Sequence, residues 1–211
     1  IPYNFKKRSY DRFFFKKKYI LKFMPYSIII PIYNEERTLN DLIISLKSYH
    51  NDGNEIIIIN DGSDDRTKEI LSNFNFITKL HLKRNFGKGI ALRIGFNIAL
   101  HEKIIVYDGD LELDTRDIKK LMKLNYKKGV SSIMGIRSRS FNPFNLGNDW
   151  GNFIFTFFFN ISNLTVHKDI LCCAKSFYKT HIPFKDLKSK TFDIDIELSY
   201  LLSKNNRGKR I

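Results

Sequence analysis

Ile104-Ile105-Val106-Tyr107-Asp108-Gly109-Asp110-Leu111-Glu112 decides how the chain folds. An apolar run ends abruptly in acid, with carboxylates at Asp108, Asp110 and Glu112. Such a run bounded by a glycine reads as a buried strand, here Ile104–Tyr107. The acids then sit where the strand leaves its sheet, the edge at which open α/β sheets bind ligands. Carboxylates this close repel one another unless a cation joins them, and hard divalent ions take oxygen ligands. Asp114, a little further on, is read as a cap for a helix from Thr115 to about Lys127.

Working back from this stretch, Tyr26–Ile32 and Glu55–Asn60 are two more buried strands, and Ile77–Leu82 is a third. Between them Leu39, Leu42, Ile43 and Leu46 recur at helical spacing to about Tyr49, and a short helix runs from Arg66 to about Asn73. Arg84-Asn85-Phe86-Gly87-Lys88-Gly89 is a basic glycine loop opening a helix with Ala91, Leu92, Gly95 and Ala99 on one face. Continuous apolar strands alternating with helices predict an α/β fold, a mostly parallel sheet with helices on both faces. Downstream come a strand at Ser131–Ile136, Arg137-Ser138-Arg139 at its end, and a loop from Ser140 to Trp150. Phe153–Ile161 reads as a helix, either core or lying in a membrane interface. Asp169–Phe177 reads as strand and turn, and Asp193–Ser203 as a final helix.

The chain has 211 residues and a net charge of +14, which suits one domain with a real core. Residues 1–25 carry eight Lys and Arg against Asp11 alone, interleaved with eight aromatic residues. A basic, aromatic arm of this kind predicts adhesion to an anionic membrane surface. Nucleic-acid binding and a merely solvated tail compete with that reading. Residues 26–211 read as one domain, truncated at its C-terminus because Lys209-Arg210-Ile211 looks like the start of another strand. The opening Ile1 reads as a fragment or processed form. No run of about twenty apolar residues is present to span a bilayer as a helix. The only cysteines, Cys172 and Cys173, are adjacent, which fits neither a disulfide framework nor a zinc site and favours a reducing compartment.

Three strand ends carry polar groups: Tyr33-Asn34-Glu35, Asp61-Gly62-Ser63 and Asp108-Gly109-Asp110. Glu35 and Asp61 are candidates to accept hydrogen bonds from a base or ribose. Lys88, at a helix N-terminus, either meets a phosphate or is simply solvated. Neither GxGxxG nor GxxxxGK[ST] is present, which excludes a dinucleotide site and a P-loop.

Pro31-Ile32-Tyr33-Asn34-Glu35-Glu36, Asn60-Asp61-Gly62-Ser63-Asp64-Asp65-Arg66-Thr67, Asn85-Phe86-Gly87-Lys88-Gly89 and Asp108-Gly109-Asp110-Leu111-Glu112, in that order, resemble family 2 glycosyltransferases of the GT-A fold. With Gly135-Ile136-Arg137, Gly151-Asn152 and Asp169-Ile170-Leu171-Cys172-Cys173-Ala174-Lys175, the chain is most similar to the branch of dolichyl-phosphate mannose synthases and polyprenyl-phosphate glycosyltransferases. The resemblance implies that Pro31, Tyr33, Glu35, Asp61, Lys88 and Asp108 bind the nucleotide. It implies that Asp108, Asp110 and Glu112 hold Mg²⁺ or Mn²⁺, and that Asp110, Arg137 and Asp169 are catalytic. Arg139 and Lys175 are expected on the acceptor side. The implied activity is inverting, metal-dependent hexosyl transfer from a UDP- or GDP-linked sugar to a polyprenyl or dolichyl phosphate, at the cytoplasmic face of a membrane, with no nucleic acid as partner. Transfer to a sugar hydroxyl, or nucleotide-sugar binding without catalysis, is the alternative. Leu171 departs from the branch, which carries glutamine or glutamate there, and the QxxRW motif of processive synthases is absent.

Overall fold

Isoleucine runs build the centre of the sheet. In the computed structural model, which describes residues 24–137 and 148–206, β1 (Tyr26–Ile32) is buried along its whole length. β2 (Glu55–Asn60) and β4 (Lys103–Val106) flank it, both parallel, with Ile28 opposite Ile56 on one side and Ile105 on the other. β3 (Thr78–His81) adds outside β2, also parallel. Beyond β4 the direction reverses: β6 (Lys175–Tyr178) runs antiparallel between β4 and β5 (Ser132–Met134). The order β3-β2-β1-β4-β6-β5 gives the mostly parallel sheet expected from the sequence. The basic arm before Met24 and Arg139 lie outside the described residues.

The helices are α1 (Leu39–Asn51), α2 (Thr67–Ser72), α3 (Lys88–Ile98), α4 (Ile118–Leu121), α5 (Asn148–Asn163) and α6 (Ile194–Asn206). Alternate strand residues face opposite layers. Ile28, Ile30, Ile56 and Ile58 pack with Leu39, Leu42, Ile43 and Leu46 of α1. Ile29, Ile57, Ile59 and Val106 pack with Leu92 and Phe96 of α3 and with Leu198 and Leu202 of α6. Each fully buried isoleucine contributes about 1.5–3 kcal/mol by leaving water, so a charge at Ile28, Ile29 or Ile30 would break the fold.

Two expectations are corrected. The helix from Thr115 to Lys127 is broken into a 3-10 turn (Thr115–Asp117), α4 and a second 3-10 turn (Tyr126–Lys128). The Leu124 N–H is taken by the Tyr26 hydroxyl, and Asn125 pairs with Val130 and caps Lys128, so the backbone cannot continue as helix. Asp114 does cap, accepting the Arg116 N–H at 2.9 Å. Phe153–Ile161 lies within α5, and of its two readings, core or membrane interface, the core one is overturned. Thr156 and Phe159 are buried, while Phe153, Ile154, Phe155, Phe157, Phe158 and Ile161 are exposed. Among the described residues no helix is long and apolar enough to cross a membrane.

Candidate active site

The chain steps outward from β1 through β2 to β3, then crosses back to lay β4 on the other flank. A crevice opens at the carboxyl ends of strands where the order reverses in this way. Here it is a cavity of about 500 Å³. β1 supplies Pro31 and the loop after it Tyr33 and Glu35, the loop after β2 supplies Asp61, α3 supplies Lys88, and the turn after β4 supplies Asp108 and Asp110. The sheet thus brings together all the residues expected around a nucleotide.

The first two loops are stitched to each other. Asn34 has a φ of 55° and lies in the left-handed region, held by a two-way clasp with Asp64. The Glu35 N–H donates to Thr67 Oγ1, and the Glu36 N–H to Asp65 Oδ2. The carboxyl of Glu35 accepts from Thr38 Oγ1 at 2.8 Å. Its pKa is raised, first by burial and then by the neighbouring charges of Asp110 and Asp108.

Asp61 is buried, and its two oxygens accept the N–H groups of Phe86 (2.8 Å) and Gly87 (2.7 Å). It therefore shapes the glycine loop from beneath. The N-terminus of α3, where Lys88 is expected either to meet a phosphate or to be solvated, is capped by another part of the chain. The Lys190 carbonyl accepts from Gly89 (2.8 Å) and Ile90 (3.3 Å). The glycines permit this approach: a Cβ at Gly87, where φ is +97°, would lie 2.4 Å from the Lys190 oxygen. Lys88 itself reaches the cavity. Its ammonium stands 2.7 Å from Asp108 Oδ1 and 2.8 Å from Asp195 Oδ2. Burial works to lower its pKa, but the two carboxylates outweigh it and hold the ammonium charged.

Glu112 does not line the cavity. Leu111 has a φ of 58°, and this left-handed step turns the chain back so that the Glu112 N–H donates to Asp110 Oδ1 at 2.9 Å. Among the described residues no three His, Cys, Asp or Glu side chains are placed to hold an ion by protein atoms alone. Two carboxylates opening into a cavity of ligand size do fit Mg²⁺ or Mn²⁺, which commonly bind through one or two carboxylates plus substrate phosphates.

Arg137 and Asp169 form a separate pair outside the cavity lining, joined at 2.9 and 3.1 Å. Leu171 contributes a backbone N–H to Asp169 Oδ1 at 3.1 Å, a bond that any residue except proline can make there. Lys175 is not on a surface. It is 0% exposed, donates to the Cys172 carbonyl and lies 3.6 Å from Asp195. Cys173 is pushed up by its bond to Cys172, by burial and by Asp108, and stays a neutral thiol.

Thr191, Phe192 and Asp195 have no counterpart among the sequence candidates. Thr191 and Phe192 line the cavity, with the Phe192 ring 5.7 Å from the Lys88 ammonium. The available signal was Asp195 itself, an acid beside Ile194 and Leu198 on the buried side of α6.

Known proteins share this fold. The glucosyl-3-phosphoglycerate synthase of Mycobacterium tuberculosis, solved with Mn²⁺, UDP-glucose and phosphoglyceric acid, superimposes with a TM-score of 0.67 at 18% identity. The overlap covers 87% of this chain and 66% of that one, and the shared fold is GT-A. The undecaprenyl-phosphate 4-deoxy-4-formamido-L-arabinose transferase of Photorhabdus laumondii is 35% identical over 105 residues, 46% of this chain and 32% of that protein. The poly-β-1,6-N-acetyl-D-glucosamine synthase of Staphylococcus epidermidis is 37% identical over 125 residues, 52% of this chain and 30% of that protein. The first curated relatives are matched over 37%, 38% and 32% of their own length. Residues 27–182 match the family described as Glycosyl transferase family 2, and the chain belongs to that family.

Proposed function

We propose that the chain is the catalytic part of an inverting glycosyltransferase. It moves a hexosyl group from a UDP- or GDP-linked sugar to a polyprenyl or dolichyl phosphate at the cytoplasmic face of a membrane. One observation carries the reading: Asp108 and Asp110 open into the same cavity as the ends of β1 and β2. Pro31 and Tyr33 flank the nucleoside, and Glu35 accepts from it. Asp61 holds the glycine loop in shape behind it. Lys88 faces the diphosphate, whose negative charge grows as the sugar–phosphate bond breaks. A divalent ion held by Asp108 and Asp110 supplies further neutralisation of that leaving group. Arg137, oriented by Asp169, presents positive charge toward an anionic acceptor. Glu112, Arg139 and Lys175 have no part in this assignment.

A lipid phosphate needs little activation, because its second pKa lies near ~6 and it arrives largely ionised. The exposed phenylalanines of α5 support a membrane-facing acceptor side. The likeness to a poly-N-acetylglucosamine synthase favours a second reading, transfer to a sugar hydroxyl. That acceptor would need a general base.

Thermal shift with UDP- and GDP-sugars and Mn²⁺ tests the donor site. A rise in melting temperature with one nucleotide series, lost in Asp110→Asn, is expected. Radiolabelled sugar then separates the acceptors. Label entering an organic phase as an acid-labile product supports the lipid phosphate, and label retained on a water-soluble glycan supports the hydroxyl.

A further inference from the structure

The cavity is closed by a segment far along the chain. Lys190 caps α3, Thr191 and Phe192 form part of the wall, and Asp195 lies one turn further on. Asp195 is 5% exposed and does not line the cavity. Its Oδ2 binds the Lys88 ammonium at 2.8 Å. Its Oδ1 has no hydrogen-bond partner and faces the wholly buried Lys175 ammonium at 3.6 Å. Charges therefore alternate along a row: Lys175, Asp195, Lys88, Asp108. The row begins in the core and ends in the cavity.

Its order matters once a ligand arrives. Asp108 cannot serve a divalent ion and Lys88 equally, since the two cations share one carboxylate charge and repel each other. With Asp108 as its only anchor, the ammonium would be driven off as the ion bound. Asp195 is a second anchor that a ligand in the cavity does not reach. It is itself neutralised from behind by Lys175, as a buried carboxylate must be. A role limited to fastening α6 is poorly served by this geometry. Ile194, Leu198 and Leu202 already bury that helix in the core, and the short contact of Asp195 points to Lys88.

We propose that Asp195 is a positioning residue of the donor site. It keeps the Lys88 ammonium at the cavity wall, against the diphosphate, when an ion takes Asp108. This rests on the nucleotide-sugar reading of the cavity.

Calorimetric titration of UDP and GDP in the presence of Mn²⁺ tests it on the wild-type chain, Asp195→Asn, Lys88→Met and the double variant. Each single variant is expected to lose about tenfold in affinity, the scale of one charge-assisted hydrogen bond. The double variant should lose no more than Lys88→Met, because Asp195 acts through Lys88. Asp195→Glu, which keeps the charge, should recover most of the loss. Wild-type affinity in Asp195→Asn, or additive losses in the double variant, overturns the proposal while leaving the donor reading intact. A wild-type chain that binds neither nucleotide removes the donor reading and this proposal with it. A second measurement does not depend on Asp195→Asn folding. In ¹⁵N-lysine protein, the Lys88 ammonium signal, identified by its loss in Lys88→Met, should remain in slow exchange with water after Mg²⁺ and nucleotide are added. Its disappearance into fast exchange would show that the anchor fails.

Discussion

Arg137 grips both oxygens of Asp169, with Nε 2.9 Å from Oδ2 and Nη2 3.1 Å from Oδ1. Its own backbone N–H adds a third bond at 3.3 Å. Removing the guanidinium would leave a buried anion without its counter-charge, which costs about 3 kcal/mol. Arg137→Met is expected to lower the unfolding free energy by roughly that amount in urea titration. Arg137→Lys keeps the charge but loses the two-pronged grip and should fall between. A loss below about 0.5 kcal/mol for Arg137→Met would mark the pair as an ordinary surface contact.

Acid should expose the same pair. Burial acts to raise Asp169, but the hydrogen bonds and charge of Arg137 hold it below the ordinary carboxylate range. Asp65 is also depressed: burial acts to raise it, and bonds from Thr67 and the Glu36 N–H prevail. A carboxyl lowered by folding adds stability above its unfolded value of ~3.9 and loses it as pH falls through the folded value. Melting temperature is therefore expected to drop below about pH 4, with a shallower acid slope in Asp169→Asn. Glu35 has the opposite sign. Its raised carboxyl loses its contribution as pH rises through the folded value, so Glu35→Gln should flatten the profile just above the unfolded value.

The glycine loop gives a matched pair of substitutions. Gly87 has a φ of +97° and backbone 2.4 Å from where a Cβ would stand, whereas Gly53 has a φ of +88° and open space around it. Gly53→Ala should cost about 1 kcal/mol for its backbone alone and leave nucleotide binding unchanged. Gly87→Ala should cost more and weaken nucleotide binding, because the Lys190 segment must move. Equal effects of the two on nucleotide affinity would contradict the close packing of that segment on α3.

The phenylalanine face of α5 predicts a separable phenotype. Phe157→Ser with Phe158→Ser removes two rings that are half or more exposed and pack mainly on other phenylalanines of α5, so melting temperature should fall only slightly. Each ring taken up by lipid is worth about 1.5–3 kcal/mol, so co-sedimentation with anionic vesicles should weaken by tenfold or more. Unchanged sedimentation would remove α5 from the membrane contact.

The isoleucine strands were legible to the residue, since Tyr26–Ile32 and Glu55–Asn60 are the observed bounds of β1 and β2. Continuous burial leaves an unbroken apolar run, and Asn, Asp and Gly mark its end. The helix after Thr115 was misread because Ile118, Leu121 and Leu124 keep helical spacing across a backbone that breaks. What interrupts it, the Tyr26 hydroxyl on Leu124, comes from 98 residues away. The residues that the strand ends bring to the cavity were legible because motif residues sit at the ends of neighbouring parallel strands, whereas Thr191 and Phe192 on the same wall were not. Lys88 and Asp195 are 107 positions apart, and no local pattern announces their contact. The fate of Lys175 was equally hidden: a lysine after two cysteines carries no sign that its ammonium is enclosed.

The carbonyl of Lys190 seated on the start of α3 has a consequence for biosynthesis. A chain emerging from the ribosome has made β1, β2, α3 and β4 long before residues 190–195 appear. Until then the start of α3 lacks its cap and Lys88 lacks its second carboxylate. A ligand of the cavity should therefore hold the early half more weakly than the finished chain, with affinity rising once residues 190–195 have emerged.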